Sequence, residues 1–206
     1  MIEIKHKDSG QSLFRAESFE GQKLHGAKWA GADLRGMDLS GLKLERADLH
    51  GADLTGAKLV GTDLQAAVLS NAVLDGIDLT NALLTEVIAK NVTLHDAKLD
   101  GAIMRYANLQ GADMTGASMQ RVDASMTDLR GNLNDVDLSH ADLRGADLTD
   151  ANLTGANLTG ANMLDAKLAG AKLMRAKMTD SIGQTGRKYG AAPTPIASKP
   201  WWKFWE

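Results

Sequence analysis

Leucine recurs at every fifth position along most of this chain. The longest unbroken run consists of Leu34, Leu39, Leu44, Leu49, Leu54, Leu59, Leu64, Leu69, Leu74, Leu79 and Leu84. A small residue, usually alanine, stands two positions before most of these leucines, as at Ala32, Ala47 and Ala52. A period of five matches neither the period of an α-helix nor that of a strand. The pattern therefore predicts an internal repeat whose units are five residues long.

Each five-residue unit is expected to be a short extended edge followed by a corner. Side chains alternate across an extended segment, so the alanine and the leucine point to one side and the residue between them points outward. Two residues that suit a tight turn follow the leucine, as in Thr55-Gly56, because Gly tolerates positive φ. No single unit can bury its own leucine, so the units are expected to stack around a shared core.

Four segments carry the repeat in a form that resembles a known family. They are ADLRG at 32–36, ADLTD at 146–150, and ANLTG at 151–155 and again at 156–160. The chain is similar to pentapeptide-repeat proteins over residues 12–181. This resemblance implies an all-β fold, a right-handed quadrilateral parallel β-helix (solenoid) with four pentads per coil. The pentads of this sequence then predict a rod of about eight coils.

The repeat is interrupted near Arg130-Gly131-Asn132, where one residue is missing. Either a bulge or shifted corner absorbs the loss, or the rod kinks there and reorients its last coils. Two pentad centres are alanine, Ala89 and Ala124, and predict thin spots in the core. Methionine replaces leucine at other centres, where we expect it to fill irregular gaps: Met104, Met114, Met119, Met163 and Met178.

The two ends of the chain depart from the repeat. Residues 1–16 alternate apolar and polar side chains around an Asp8-Ser9-Gly10 turn, which predicts a β-hairpin cap on the first coil. The β-helix is expected over residues 17–181, and a linker with an irregular C-terminal tail over residues 182–206. The aromatic residues of this tail are interpreted either as a lid over the last coil or as a segment that docks in a partner or at a membrane surface: Trp201, Trp202, Phe204 and Trp205.

Composition narrows the class of protein. The sequence has no apolar stretch long enough to span a membrane, no apolar signal region after Met1, and no cysteine. These features favour a cytoplasmic protein, and the family resemblance implies a repeat protein of bacterial type. The charge is uneven, since residues 33–165 carry 20 acidic and 10 basic side chains whereas residues 166–206 carry 2 acidic and 8 basic ones.

The sequence contains no residue pattern that indicates a catalytic site. The five histidines fall on different sides of the predicted coil, and none has a second ligand at metal-binding spacing: His6, His25, His50, His95 and His140. No glycine-rich phosphate loop and no nucleophile oriented by histidine can be argued from the spacing. We therefore expect a protein that is not an enzyme and that uses neither a cofactor nor a metal.

Outward aspartates form a first candidate surface: Asp33, Asp38, Asp48, Asp53, Asp113, Asp123, Asp128, Asp142 and Asp147. Some stack one coil apart, as Asp33 over Asp53, where like charges repel each other. One interpretation is that Asp suits this position and keeps the rod soluble. The alternative is imitation of DNA, whose phosphates present regular negative charge. Resemblance to the family implies DNA gyrase or another type II topoisomerase as the partner of such a mimic, without direct binding of nucleic acid.

Outward apolar residues form a second candidate surface: Val68, Val73, Leu83, Ile88 and Ile103. Four pentads per coil place Val68 beneath Ile88 and Leu83 beneath Ile103. An exposed apolar patch on a soluble rod indicates an interface, either with a second copy in a homodimer or with another protein. The competing interpretation is a local distortion near Ala89 that turns some of these side chains inward.

The sequence thus predicts a non-catalytic, protein-binding β-helical rod, with a DNA mimic that modulates gyrase as the specific hypothesis. The alternative is a structural scaffold or effector-type protein that its Trp-rich tail addresses to a partner or to a membrane surface.

Overall fold

Parallel pairing between residues one coil apart builds the rod. The computed structural model describes residues 1–189. The residue before each central leucine pairs with its counterpart 20 residues further on, as Lys28 pairs with Asp48 and Asp48 with Val68. Twenty residues are four pentads, so the chain returns to the same side after every fourth unit. The repeat in the sequence is therefore a stack of β-helical coils.

Short extended segments and turns make up residues 1–189, which contain no helix. The strands are β1 (Ile2–His6), β2 (Ser12–Ala16) and β3 (Ala32–Asp33), and the remaining pairs are isolated bridges. From Leu34 to Leu158, each central leucine donates its amide to a carbonyl oxygen of the next coil, as Leu34 does to Asp53 at 2.8 Å. A helix of the length and apolarity needed to cross a membrane is not found among these residues.

One continuous core runs along the axis of the stack. The leucines between Leu34 and Leu168 that occupy pentad centres are buried, and so are most alanines two positions before them. At each corner the chain makes a turn, in which the amide of Met37, for example, donates to the carbonyl oxygen of Leu34 at 3.1 Å. The residue just before that donor, Gly36, has a φ of 63°. Positive φ is least costly for glycine, which explains the Gly that closes many pentads.

An antiparallel hairpin covers the N-terminal end of the core. β1 pairs with β2, with Ile4 opposite Phe14, and pairs along its other edge with β3. Ile4 is fully buried, and the rings of Phe14, Phe19 and Trp29 pack with centroids 5.6–6.3 Å apart. These side chains shield the first coil from water, as the open end of a solenoid requires.

The stack remains continuous across the missing residue near Gly131. The four bridges of that coil join residues 19 apart instead of 20, and the spacing of 20 returns at Asn132–Asn152. Gly131 permits the shorter path, because a Cβ there would collide with the carbonyl oxygen of Ala112. Pairing is regular on both sides of this corner, which agrees with a shifted corner and not with a kink.

Larger neighbours compensate for the two alanine centres. The flanking positions, which usually hold alanine, carry bulkier buried side chains: Val87 and Val92 around Ala89, and Val122 and Thr127 around Ala124. The Thr127 hydroxyl is satisfied, since Oγ1 donates to the carbonyl oxygen of Met104 at 2.6 Å. The core is therefore filled from the adjacent position where the centre itself is small.

The C-terminal end of the stack extends further than the repeat pattern predicts. Ile182 pairs with Asn162, and Lys188 then pairs antiparallel with Ile182. The amide of Tyr189 donates to the carbonyl oxygen of Ser181 at 2.8 Å. Residues 182–189 therefore continue the stack, although the sequence assigns them to the linker.

Candidate interaction surfaces

Outward side chains form one column on each side of the rod, because paired residues lie directly above one another. Two neighbouring columns matter most. The Lys28 column consists of Lys28, Asp48, Val68, Ile88, Asn108, Asp128, Asp147 and Lys167. The Lys43 column consists of Lys43, Asp63, Leu83, Ile103, Asp123, Asp142, Asn162 and Ile182. The corner between them includes residues 85–86, 105–106, 125–126, 144–145 and 164–165 in successive coils.

All nine candidate aspartates take part in the corner turns. Oδ1 of each one accepts the backbone amide two residues later, at 3.0–3.3 Å. Asparagine at the same position does likewise, as Asn152 does with the amide of Thr154 at 3.3 Å. This hydrogen bond accounts for Asp or Asn at the outward position without any appeal to charge.

Most of these carboxylates also lie beside a basic side chain. Seven have a partner within 4 Å: Arg35 for Asp33 and Asp53, His95 for Asp113, Arg105 for Asp123, Arg130 for Asp128, Arg144 for Asp142, and Lys167 for Asp147. The hydrogen bond from Arg130 lowers the pKa of Asp128, and that from Arg144 lowers the pKa of Asp142. Asp38 and Asp48 have no ion pair within residues 1–189. Most of the candidate aspartates are thus paired with a basic side chain, although Arg35 serves two of them and residues 33–165 keep an excess of acidic side chains.

The five predicted apolar residues all lie on the outside of the rod. Ile88 is 43% exposed, and the other four are partly buried. Bridges join Val68 to Ile88 and Leu83 to Ile103, whereas Val73 lies in a different column. The inward distortion near Ala89 therefore does not occur.

Three further apolar side chains extend this patch along the corner between the two columns. Tyr106 is 61% exposed, Met126 56% and Leu164 36%. We call the whole feature the apolar edge, defined by Leu83, Ile88, Ile103, Tyr106, Met126 and Leu164. Of the seven large apolar side chains exposed within residues 1–189, four belong to it.

The backbone of this corner is unusual. In five successive coils it places a residue other than Gly, Asn or Asp at positive φ, with φ of 55–60°: Arg46, Ala66, Glu86, Tyr106 and Met126. The left-handed conformation costs such a residue roughly 1 kcal/mol or more. Elsewhere in the coils, the corresponding turn positions hold Gly, Asn or Asp in most cases. Bulky residues where the repeat favours glycine are the signal through which the sequence could have revealed Tyr106 and Met126.

A polar notch adjoins the apolar edge on its N-terminal side. It encloses about 350 Å³ and is lined by Glu45, Arg46, Gln65, Ala66, Thr85 and Glu86. The small side chain of Ala66 leaves the space between Arg46 and Glu86. Oε2 of Glu45 is enclosed and accepts no hydrogen bond, and Nδ1 of His25 lies 4.0 Å from it.

His95 lies between two carboxylates on another side of the rod. Its Nδ1 is 3.0 Å from Asp75 Oδ1, and its Nε2 is 3.4 Å from Asp113 Oδ2. Burial by itself lowers the pKa of His95, but the hydrogen bonds and charges of the two carboxylates outweigh burial and raise it. In the described part of the chain, His, Asp and Glu side chains form no group of three or more that could hold a metal ion.

The tail residues of the sequence-based hypothesis lie outside the described residues, namely Trp201, Trp202, Phe204 and Trp205. The described chain ends at Tyr189, whose pKa burial raises to about 12.

Comparison with known proteins agrees with this repeat architecture. The family model described as pentapeptide repeats matches eight copies, over residues 19–56, 47–86, 94–131, 132–163 and 141–180. Among curated proteins, none matches the sequence.

Several solved structures are similar to the chain. HetL, a pentapeptide repeat protein involved in heterocyst differentiation regulation from the cyanobacterium Nostoc sp. strain PCC 7120, is 31% identical, with 80% of this chain and 86% of HetL covered and a TM-score of 0.42. A trypsin-treated form of QnrB1, a plasmid-mediated fluoroquinolone resistance protein, is 19% identical over 68% of this chain and 90% of its own, with a TM-score of 0.49. A protein of the Arabidopsis thaliana thylakoid lumen is 23% identical over 72% of this chain and 66% of its own, with a TM-score of 0.21.

Proposed function

Since this chain belongs to the pentapeptide repeat family, we propose that it is a non-catalytic rod that acts by binding a protein partner along its apolar edge. The observation that carries the proposal is the position of Tyr106 and Met126 at one corner in successive coils, with Ile88 beside this corner and Leu164 at the same corner two coils beyond Met126. An exposed apolar surface of this kind is costly in water and is typical of a protein interface. Aromatic and methionine side chains are enriched at such interfaces.

The backbone of the edge supports the same proposal. Tyr106 and Met126 occupy positive φ, where glycine would relieve strain. Their side chains add nothing to the core, because both are more than half exposed. The fold of the rod does not explain these two side chains, whereas contact with a partner protein would.

Site-specific photocrosslinking in the organism's own cells tests this proposal. A benzoylphenylalanine at position 106 or 88 is expected to give one discrete adduct with a partner protein. The matched control places the same group at Lys98, which lies away from the edge in the column of Asp38, Lys58 and Asp78. Equal adducts from both sides, or none from the edge, would overturn the proposal.

A second candidate, imitation of DNA toward a type II topoisomerase such as gyrase, is favoured by stacked carboxylates. Bridges place Asp33 beside Asp53 and Asp123 beside Asp142, so two negative charges repeat along the rod as phosphates do along DNA. The basic neighbours of these residues weaken that likeness, and for this reason the apolar edge ranks first.

A gyrase supercoiling assay with purified protein tests the second candidate. The informative variant replaces Asp33, Asp53 and Asp113 by Asn, because an asparagine can keep the hydrogen bond of the corner turn while removing the charge. If the rod mimics DNA, the wild-type protein changes the supercoiling rate and this variant does not. Equal effects, or none from the wild type, would exclude the acidic surface.

We also propose that the coil is right-handed and four-sided and that the protein works in the cytoplasm. The spacing of four pentads between paired residues supports four sides, and resemblance to the family supports the hand. The absence of cysteine fits a reducing compartment. An experimental electron-density map tests the hand of the coil, and a left-handed coil in that map would overturn this part of the proposal.

A further inference from the structure

The corner of the apolar edge is continuous through eight coils. The amide of Arg46 donates to the carbonyl oxygen of Gln65 at 2.9 Å, and an equivalent hydrogen bond follows in every coil up to Asp165. Two residues of each coil form this corner series: 45–46, 65–66, 85–86, 105–106, 125–126, 144–145, 164–165 and 184–185. The midpoint of the corner series lies between Tyr106 and Met126.

The corner series complements itself when the order of its coils is reversed. In an antiparallel pair of rods centred on the midpoint, the coil of Tyr106 lies opposite the coil of Met126 in the other copy. A methionine sulfur beside an aromatic ring is a favourable contact, and both side chains are more than half exposed. One coil further out, Glu86 lies opposite the coil of Arg144, so that opposite charges meet.

The outer coils match in size and charge. In the same arrangement, the coil of Gln65 and Ala66 lies opposite the coil of Leu164 and Asp165. The polar notch beside Ala66 encloses about 350 Å³, which provides space for Leu164, itself 36% exposed. Asp165 approaches Arg46 in the neighbouring coil, and both of these side chains are exposed. Contacts therefore extend from the midpoint toward both ends of the corner series.

The two arginines within the edge take part in this arrangement. Inside one chain, Nε of Arg105 lies 2.6 Å from Oδ2 of Asp123, and Nη2 of Arg144 lies 2.6 Å from Oδ2 of Asp142. A guanidinium has five N–H donors, so each arginine keeps donors for a carboxylate of the other copy. Arg144 faces Glu86, which has no ion pair within residues 1–189, and Arg105 faces the coil of Asp123.

Like charges disfavour a parallel pair of rods. With a two-fold axis along the rods, every coil meets its own counterpart, so Glu86 meets Glu86, and Arg105 and Arg144 likewise meet themselves. Like charges that face each other across an interface suppress association in that arrangement. The order of charges along the corner series therefore selects the antiparallel pair.

We propose that a second copy of this chain is the partner of the apolar edge, in an antiparallel, side-by-side dimer whose two-fold axis passes between the coils of Tyr106 and Met126. The dimer rests on the proposed function and names the partner that it leaves open. Both copies contribute the same surface, as two-fold symmetry requires. The contact is narrow and about 34 Å long at the usual spacing between strands. Such a small interface is expected to be transient and to form at micromolar concentrations or above.

Charge reversal with sedimentation equilibrium of the full-length protein tests the dimer. Glu86→Arg places an arginine opposite Arg144, and Arg144→Glu places a glutamate opposite Glu86. Each single variant is therefore expected to raise the dissociation constant of the dimer about tenfold or more. An equimolar mixture of the two single variants is expected to associate like the wild type, because each chain then supplies the charge that the other one lacks.

The double variant Glu86→Arg, Arg144→Glu determines the orientation. In the antiparallel dimer it restores association, since the two charges have exchanged places, whereas in a parallel dimer like charges still oppose each other. The control is Arg121→Glu, an exposed charge at a different corner, which is expected to leave association unchanged. Circular dichroism confirms that each rod is folded.

Three results would overturn the dimer: a wild type that stays monomeric at high micromolar concentration, single variants that associate like the wild type, or a double variant as weak as the single ones. The cellular photocrosslink at position 106 separates this dimer from the proposed function. An adduct with the mass of two chains supports both. An adduct with a different protein, together with a monomeric purified rod, would overturn the dimer and leave the proposed function standing.

Discussion

At the scale of single residues, Gly131 shows how the rod tolerates a shortened pentad. Its φ is not positive, so its need for glycine comes from the close approach of the Ala112 carbonyl and not from backbone conformation. A Cβ at this position would push two successive coils apart.

Gly131→Ala is therefore expected to lower the free energy of unfolding by about 2 kcal/mol or more. The matched control is Gly56→Ala, where φ is 66° and no atom lies within 4 Å of a new Cβ. That variant should lose about 1 kcal/mol from backbone strain alone. Urea denaturation of both variants measures the difference, and equal losses would contradict the argument from close approach.

The ionic contacts of His95 predict a dependence of stability on pH. Its folded-state pKa is raised, so the contribution of protonated His95 is fully present below the pKa of the unfolded chain and is lost as the pH rises through the folded pKa. The pKa values of Asp75 and Asp113 are lowered, so their contribution is present above the ordinary carboxyl range and is lost on acidification.

Thermal unfolding at pH 6 and pH 8 tests this prediction. The side chains are partly exposed, so the wild-type Tm is expected to fall by only about 1–3 °C between the two pH values relative to His95→Gln. His50→Gln serves as the control, because His50 has no ion pair within residues 1–189. A parallel pH profile for the wild type and His95→Gln would argue against the contact.

At the scale of the pentad, the outward aspartate is primarily a turn residue. Asp48 shows this most clearly, since its Oδ1 accepts the amide of His50 at 3.2 Å and it has no ion pair within the described residues. The Tm of Asp48→Asn is expected to equal that of the wild type. The Tm of Asp48→Ala should be about 2–4 °C lower, because this variant loses one hydrogen bond. Equal melting temperatures for the Ala and Asn variants would show that the hydrogen bond contributes nothing.

The pentad is also the scale at which the sequence is most informative. Leucine spacing predicts the stack, its period and the outward position of Val68 or Asp53, because every unit repeats the same geometry. The spacing does not predict which outward charges are neutralised. Arg105 reaches Asp123 from the preceding coil, a contact set by side-chain conformation and not by period. Tyr106 and Met126 were missed because corner residues were expected to be small.

At the scale of the whole molecule, the C-terminal end of the stack has strand edges without a pairing partner among residues 1–189. On one side of the rod, Ile182 pairs with Asn162 and extends the stack. Within residues 1–189, no later segment pairs with Lys167, Lys172 or Lys177. Unpaired strand edges invite pairing with another molecule, and natural proteins protect them with charged residues, lysine above all. Each of the three open edges ends in a lysine, which we interpret as a barrier to end-to-end stacking of rods.

Replacing Lys167, Lys172 and Lys177 by threonine is therefore expected to promote association, because threonine favours strands and carries no charge. Analytical ultracentrifugation should show a sedimentation coefficient that rises with concentration more steeply than that of the wild type. The control replaces Lys43, Lys58 and Lys98 and so removes the same charge from within the stack. Lys58 and Lys98 are paired on both sides, and Lys43 is paired with Asp63. If the control associates equally, net charge and not edge protection keeps the rods apart; if neither variant associates, the open edges are covered in another way.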